Sequence, residues 1–445
     1  MCRKSCPFAT LGTQWDVRPS SVTPNLPLVS GSPSVSDFTC VDSYIFPSAT
    51  SLPGDFMKIA MAMENFSRYG GGAESYAVGL AQTLVSEGWE VHLYGHSWDG
   101  EPAEAVFHSI PKLPRWVPPS IRILAFAVRH RRMIAGEEFD IVLGFGNTLV
   151  MNVYQSHGGV HFISNIRKLQ AIRNPVARWL KFAALLATPK YHARAWIESA
   201  PFRKSQRPVI IAISDMVRND MADYFHISKD DIRLVYNGID PSRLKSVKAD
   251  RRQELRKSLG FDNEVLFLFM SYDFRKKGLR YLVEAAGRLR DRVGAGRFGV
   301  VAVGAQPSPL LQRLVSKLQL TGIVVFPGAT REPEAFYRAC DVFVLPTFYD
   351  ACSLVVFEAM AAGLPAITTE FNGAAGIIHR GIDGIVLHDP GNIDEMADAM
   401  ELFLPPEILK SASEAAPQTA SAYTAEANHR QMLAILNEVA ERQSR

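Results

Sequence analysis

The chain has 445 residues, 47% of them hydrophobic, with 48 Lys and Arg against 45 Asp and Glu for a net charge of +3. That length exceeds one ordinary domain and predicts two or three, and the composition is that of a soluble globular protein whose net charge by itself selects no class of partner. No stretch reaches the roughly 18 uninterrupted apolar residues that a membrane-spanning helix needs.

Residues 1–56 are rich in Ser, Pro and Thr, hold no lasting helical or strand period, and lack the apolar run of a signal peptide. They are predicted to be disordered, either an overextended start or a flexible regulatory extension, because Met57 opens directly into a strand. Cys2, Cys6 and Cys40 lie in this leader and Cys340 and Cys352 in the folded part. Cys2-x3-Cys6 has no partner residues nearby, so free thiols in a reducing cytosol are expected.

Lys58 to Met63 is predicted as the first strand, followed by the loop Ser67 to Glu74 and a helix from Ala73 to Glu87 capped by Gly88. Gly71 and Gly72 let the backbone approach a ligand at this strand-to-helix turn. A dinucleotide fingerprint would need glycine where Ser75 stands and an acid where the second strand, Glu90 to Tyr94, runs out into Gly95-His96; both are missing. Phe139 to Phe145 is a further buried strand, and Asn152 to Gly159 reads as a short strand ending in a glycine loop that carries His157. A lone loop histidine is as easily structural as functional.

Charge in this first domain is uneven. No acid occurs from Ala105 to Gly136, and from Val160 to Arg207 the single acid Glu198 faces a run of Lys and Arg interleaved with Trp179, Phe182, Trp196 and Phe202. Basic residues mixed with aromatics on amphipathic helices suit an anionic membrane surface or a phosphorylated acceptor; a solvated basic face is the plainer reading, and no RNA- or DNA-binding motif accompanies the patch. Pro208 to Ile213 is the next strand, with Ser214 as a helix cap. The first domain is placed at 57–240, a charged linker at 241–262, a second domain at 263–410, and a tail at 411–445 with a final helix from Thr424 to Glu441.

The second domain opens with the strand Val265 to Met270, which leads to Arg275, Lys276, Lys277 and Gly278 before a helix from Leu279 to Arg290. Three bases at the positive end of a helix are unfavourable unless an anion lies nearby. Strands at Gly299 to Val303 and Ile323 to Phe326 follow, the latter ending near Gly328. Asp341 to Leu345 then begins a βαβ unit: the strand breaks at Pro346, a polar loop carries Asp350, a helix runs from Ser353 and Leu354 to Gly363, and Pro365 opens the next strand. Such a unit aims a helix N-terminus at the carboxyl edge of a parallel sheet, an anion site. Asp350 and Glu358 repel a phosphate but suit sugar hydroxyls as acceptors. An ordinary βαβ unit with two surface acids is the competing reading.

The run from Asp350 to Pro365 resembles the Glu-x7-Glu signature of retaining glycosyltransferases of family GT4, matching at Glu358, Ala359, Ala361, Gly363 and Pro365, with Asp350 for the first Glu and Ser353 for a usual Gly. Gly71-Gly72-Ala73-Glu74, Tyr236-Asn237-Gly238-Ile239-Asp240 and Lys277-Gly278 resemble further GT4 elements, although Tyr272 stands where an Arg is common. The resemblance implies the GT-B fold, an α/β architecture of two Rossmann-like doubly wound domains facing across a cleft, with the C-terminal helix crossing back to the first. It also implies donor binding by Gly71, Gly72, Arg275, Lys276, Gly328, Ser353, Leu354 and Glu358, with Lys277, Asp350 and His157 at the reacting centre. No Asp-x-Asp triplet and no His/Cys/carboxylate cluster with metal spacing occurs, so neither metal nor cofactor is expected. Tyr94 through Gly100 and Tyr349 to Thr369 look most like the lipopolysaccharide core glucosyltransferase I group. That likeness implies a UDP-hexose, UDP-glucose in that group, donating to a lipid-linked glycan at the cytoplasmic membrane face, with no nucleic-acid partner. Capsule or exopolysaccharide synthesis, or a catalytically weak nucleotide-sugar-binding protein, are the alternatives.

Overall fold

A computed structural model describes residues 57–68, 70–203, 207–245 and 251–443. The expectations for the leader and its three cysteines lie outside the described residues.

The first domain strings together β1 (Lys58–Ala62), β2 (Asn65–Phe66), α1 (Gly72–Ser86), β3 (Glu90–Gly95), β4 (Ser97–Trp98), β5 (Val106–Ser109), α2 (Pro119–Met133), β6 (Ile141–Gly144), β7 (Val153–Ser156), α3 (His161–Gln170), α4 (Pro175–Leu186), α5 (Pro189–Ser199), β8 (Val209–Ala212), α6 (Asp215–Phe225) and β9 (Ile232–Leu234). Seven strands form a parallel sheet in the order β5-β3-β1-β6-β7-β8-β9. Its central strands are apolar on both faces, as a sheet covered by helices on both sides requires; β6 is buried at every position. Strand order reverses between β1 and β6, and the crevice beyond their carboxyl ends is where such a sheet receives a ligand.

The second domain follows the short helix α7 (Ser242–Lys245) with α8 (Arg251–Ser258), β10 (Val265–Ser271), α9 (Leu279–Val293), β11 (Phe298–Gly304), α10 (Pro309–Lys317), β12 (Val324–Gly328), α11 (Pro333–Ala339), β13 (Val342–Leu345), α12 (Leu354–Ala361), β14 (Ala366–Thr369), β15 (Gly384–Leu387), α13 (Ile393–Leu402) and α14 (Pro406–Ala420). Its six strands are parallel in the order β12-β11-β10-β13-β14-β15, with the reversal between β10 and β13. The stretch 241–262, read from its charge as a linker, is built into this domain from Arg251 onward. Arg256 is buried and donates to the Ala339 carbonyl at 2.9 Å and to Asp341 at 3.1 Å, and Arg252 donates to Asp341 at 2.6 Å. These charges hold the helix to the sheet instead of solvating a tether.

The last helix, α15 (Ala425–Gln443), returns to the first domain. Met432, Leu436, Val439 and Ala440 pack in one core with Ile59, Met61, Val78 and Leu84, and Thr83 Oγ1 lies 2.7 Å from His429 Nδ1. The incoming chain runs beside the outgoing one: Ile239 pairs with Thr424, Ala425 N–H donates to the Ile239 carbonyl at 2.8 Å, and Asn428 Nδ2 donates to the Tyr236 carbonyl at 2.7 Å. Gly238 makes this possible, because a Cβ there would lie 2.1 Å from the Thr424 carbonyl oxygen. Since Leu436 is fully buried in the first-domain core, Leu436→Ala is expected to cost roughly 2–5 kcal/mol of stability in urea unfolding of the full chain; a loss below about 0.5 kcal/mol would mean the helix does not belong to that core.

Candidate active site

Both switch points open onto the cleft between the domains. Beyond β10 the chain turns through Asp273, whose side chain accepts from Lys276 N–H at 3.0 Å and whose carbonyl accepts from Lys277 N–H at 3.1 Å. It enters α9 through Gly278, which has φ +81° and lies so close to the loop beyond β13 that a Cβ would stand 2.0 Å from the Pro346 carbonyl oxygen. This approach sets Lys277 against Asp350, and the two form an ion pair. Asp350 is fixed by its backbone, which donates to Phe371 O at 2.9 Å and accepts from Gly373 N–H at 2.8 Å. Lys276 pairs with Asp273 at 2.7 Å, and Arg275 is exposed.

The first domain closes this site from the other side. Gly159, at φ +65°, lies against the Tyr349 hydroxyl, where any Cβ would collide. Lys168, from α3, lies 5.4 Å from the Tyr349 ring centroid and donates to Ser164 Oγ at 2.6 Å. Burial, and then the positive charges of Lys276 and Lys277, push its amine below the usual lysine range. Asp350 and Asp273 pull the other way, and a further anion among these three half-buried or exposed amines would favour their charged forms. Lys168 was not singled out in the sequence, where it is one base in a long basic run; only the folded topology brings it to the Lys277 loop. Just beyond α3, Arg173 forms a bidentate pair with Glu284, and Tyr281 OH donates to the Ala171 carbonyl at 3.1 Å, so the turn that follows the helix reaches across the cleft.

His157 lies two residues before Gly159. Its ring packs on Tyr76 at 4.4 Å and Phe145 at 5.4 Å, and its Nε2 is buried without a hydrogen-bond partner. Burial pushes its pKa down to about 3, so it is a neutral imidazole at pH 7. A neutral ring offers one donor and one acceptor to a hydroxyl group.

The remaining candidates fall into two places. Gly72, Leu354 and Glu358 line a cavity of about 580 Å³ together with Tyr337, Asp240 and His429. A Cβ on Gly72 would be 3.5 Å from Leu354, and Glu358 accepts from Tyr337 OH at 2.7 Å. Gly71 N–H is taken by the Glu74 carboxylate at 2.7 Å, which closes the first turn of α1. Ser353 is the N-cap of α12 without side-chain capping, and its N–H donates to Asn372 Oδ1 at 3.3 Å. Gly328, at φ +86°, ends β12 beside Gln306 and lines none of these walls. Among the described residues no group of three or more His, Cys, Asp or Glu is arranged to hold a metal ion.

Of the aromatics in the basic run, Trp179 is 64% exposed beside exposed Val176 and Leu180 on α4, a helix with no buried residue. Phe202 is instead buried, edge-on to Tyr154 and stacked on Phe225, and is a core residue of the first domain. Glu198, the lone acid of the run, is also buried. It accepts from His161 N–H at 3.1 Å, and desolvation pushes its pKa up to about 7 against the opposing pull of that bond and of Arg194.

Two doubly wound domains with their switch points facing each other, cations and a carboxylate on one wall and a neutral histidine on the other, define a group-transfer enzyme of the GT-B fold. Family models for "Glycosyltransferase Family 4" and "Glycosyl transferases group 1" match residues 70–243 and 263–404. The chain belongs to glycosyltransferase family 4. It is 26% identical to an uncharacterized glycosyltransferase of Methanocaldococcus jannaschii over 78% of this chain and 89% of that one. It is 23% identical to the lipopolysaccharide glucosyltransferase WaaG of Escherichia coli, over 80% and 92% respectively. The crystal structure of WaaG superposes with a TM-score of 0.69 at 20% identity, covering 85% of this chain and 99% of that one. HepE of Anabaena, in complex with UDP and glucose, superposes with a TM-score of 0.63 at 18% identity, covering 86% and 99%.

With its pKa pushed down to about 3, His157 is expected to show no protonation step between pH 5 and 8 when its ring resonances are followed by NMR; an inflection inside that window would mean that the ring is solvated.

Proposed function

We propose that the protein transfers a hexose, glucose, from UDP-glucose to a saccharide of a lipid-linked glycan, with retention of anomeric configuration and without a metal. The observation that carries this reading is the meeting of Lys277, Asp350 and Lys168 at the second-domain switch point, against the Gly159 loop of the first domain. Lys277, with Arg275, Lys276 and Lys168 around it, takes up the charge that grows on a departing diphosphate. A diphosphate drawing Lys277 away leaves Asp350 to accept from the hydroxyls of the sugar, while Glu358, in its cavity beside Gly72, accepts from the ribose. His157 stays neutral and takes a hydroxyl of the donor sugar or acceptor. The leaving phosphate removes the acceptor proton on the same face, so no protein nucleophile is needed. The likeness to WaaG supports glucose and a lipopolysaccharide-type acceptor, and the UDP and glucose held by HepE support the donor.

Trp179, Val176 and Leu180, exposed on α4 among Arg178 and Lys181, support adsorption to an anionic membrane surface on the cytoplasmic side. No helix among the described residues is long and apolar enough to cross a membrane. Co-sedimentation with vesicles containing phosphatidylglycerol, but not with pure phosphatidylcholine, is expected, and Trp179→Ala should weaken it; equal sedimentation with both would remove the electrostatic part of the argument.

Calorimetric titration with UDP, UDP-glucose and GDP-mannose in the presence of EDTA tests the donor. UDP species should bind, and Glu358→Ala should chiefly weaken that binding. Lys277→Ala is expected to lower turnover of UDP-glucose by roughly 10²- to 10³-fold, the scale of losing one preorganised charge-stabilising group. Full activity in both variants would show that the site lies elsewhere, and a requirement for added metal would overturn the metal-free scheme.

A further inference from the structure

A second cavity, of about 590 Å³, opens on the first domain and is not used by the donor site. It lies along the carboxyl edge of the first sheet, for its walls include Glu64 and Asn65 after β1, His96 after β3 and the segment Pro111 to Arg115 after β5. Six cations face it: Lys112, Arg115, Arg122, Arg129, Lys190 and Arg194. Glu64 is the single carboxylate in its walls, and it lies 3.6 Å from Arg194. Arg129 donates to the Pro111 carbonyl at 2.6 Å and so fixes the rim. Lys112, Arg115, Arg122 and Lys190 have no acidic partner among the described residues, and Arg122 Nε is buried with no hydrogen-bond partner at all.

The helix that forms one wall sharpens the imbalance. α2 begins at this cavity behind Pro118, which offers no side-chain cap, and its first turn holds Arg122 and no acid. A helix N-terminus carries partial positive charge, so an arginine there, with a buried unpaired N–H, is placed against the field unless an anion enters. The cavity also adjoins the donor side: Asn65 Nδ2 reaches Glu74 at 3.5 Å, and Glu74 holds the Gly71 loop.

We propose that this cavity binds a phosphomonoester carried by the acceptor saccharide, with Arg115 and Arg122 as its principal ligands. The inference rests on the transferase reading, because it gives the first domain the acceptor. Guanidinium groups suit such a ligand through paired, charge-assisted hydrogen bonds to phosphate oxygens, and the volume leaves room for the attached sugar. Binding here orients the acceptor by its phosphate and selects against uncharged saccharides.

The test is calorimetry on the full chain saturated with UDP, using glucose 6-phosphate, glucose and inorganic phosphate as probes. Glucose 6-phosphate is expected to bind, glucose not to bind detectably, and inorganic phosphate to bind more weakly than the sugar phosphate. Arg115→Gln and Arg122→Gln should each weaken glucose 6-phosphate at least tenfold while leaving UDP binding and the melting temperature unchanged, and Lys277→Ala should leave it unchanged. Binding of glucose 6-phosphate that is unaffected by both arginine substitutions, or equal binding of glucose, would overturn the proposal. So would binding of a short-chain phosphatidic acid alone, which would assign the phosphate to a lipid headgroup. If UDP itself fails to bind, the donor reading fails separately, and the same titrations in nucleotide-free protein still decide the cavity.

Discussion

The approach of the Gly278 backbone to the Pro346 carbonyl sets the geometry of the second-domain site. Two loops that leave a parallel sheet at its reversal point are pressed together there, and the side chains next to them, Lys277 and Asp350, have nowhere to go but toward each other. The pair is only partly shielded from solvent, with side-chain exposures of 23% and 21%, so it is strong enough to hold position and open enough to be exchanged for a ligand. Any side chain at position 278 would separate the loops and leave both charges to water.

Around that pair the first domain adds positive charge in place of neutralising it. Lys168 comes in on α3, and Tyr349 is wedged between that helix and Gly159. Excess cation in a partly desolvated site costs stability, and an anion placed among these amines would offset that cost. His157 behaves oppositely: its burial between Tyr76 and Phe145 keeps the ring neutral, so at this point the first-domain wall offers hydrogen bonds and no charge.

Much of this architecture was legible from local pattern. Apolar runs ending in Gly or Pro mark the central strands; Ser214 reads as a cap and is one, accepting from Val217 N–H at 3.2 Å. The pairing of Lys277 with Asp350 was not legible, since 73 residues separate them and nothing local marks a partner. The same holds for the second bond of the Ser214 hydroxyl, donated at 2.7 Å to the Ala351 carbonyl of the other domain. Charge misled where it was engaged internally: Arg252 and Arg256 lie in a stretch that reads as a charged linker and entry to the second domain, and they fasten a helix to Asp341. Phe202 reads only as one aromatic of the basic run, because sequence spacing does not show which face of the segment the core takes.

The paired backbone at Ile239 and Thr424 gives the molecule a mechanical asymmetry. Both passages of the chain between the domains run through this one backbone clasp, whereas the segment just after α3 reaches across with a side-chain ion pair, Arg173 to Glu284. The cavity lined by Asp240, Ala425 and Glu358 lies beside the clasp, so a hinge at this crossing would displace its walls less than the distant contacts made after α3.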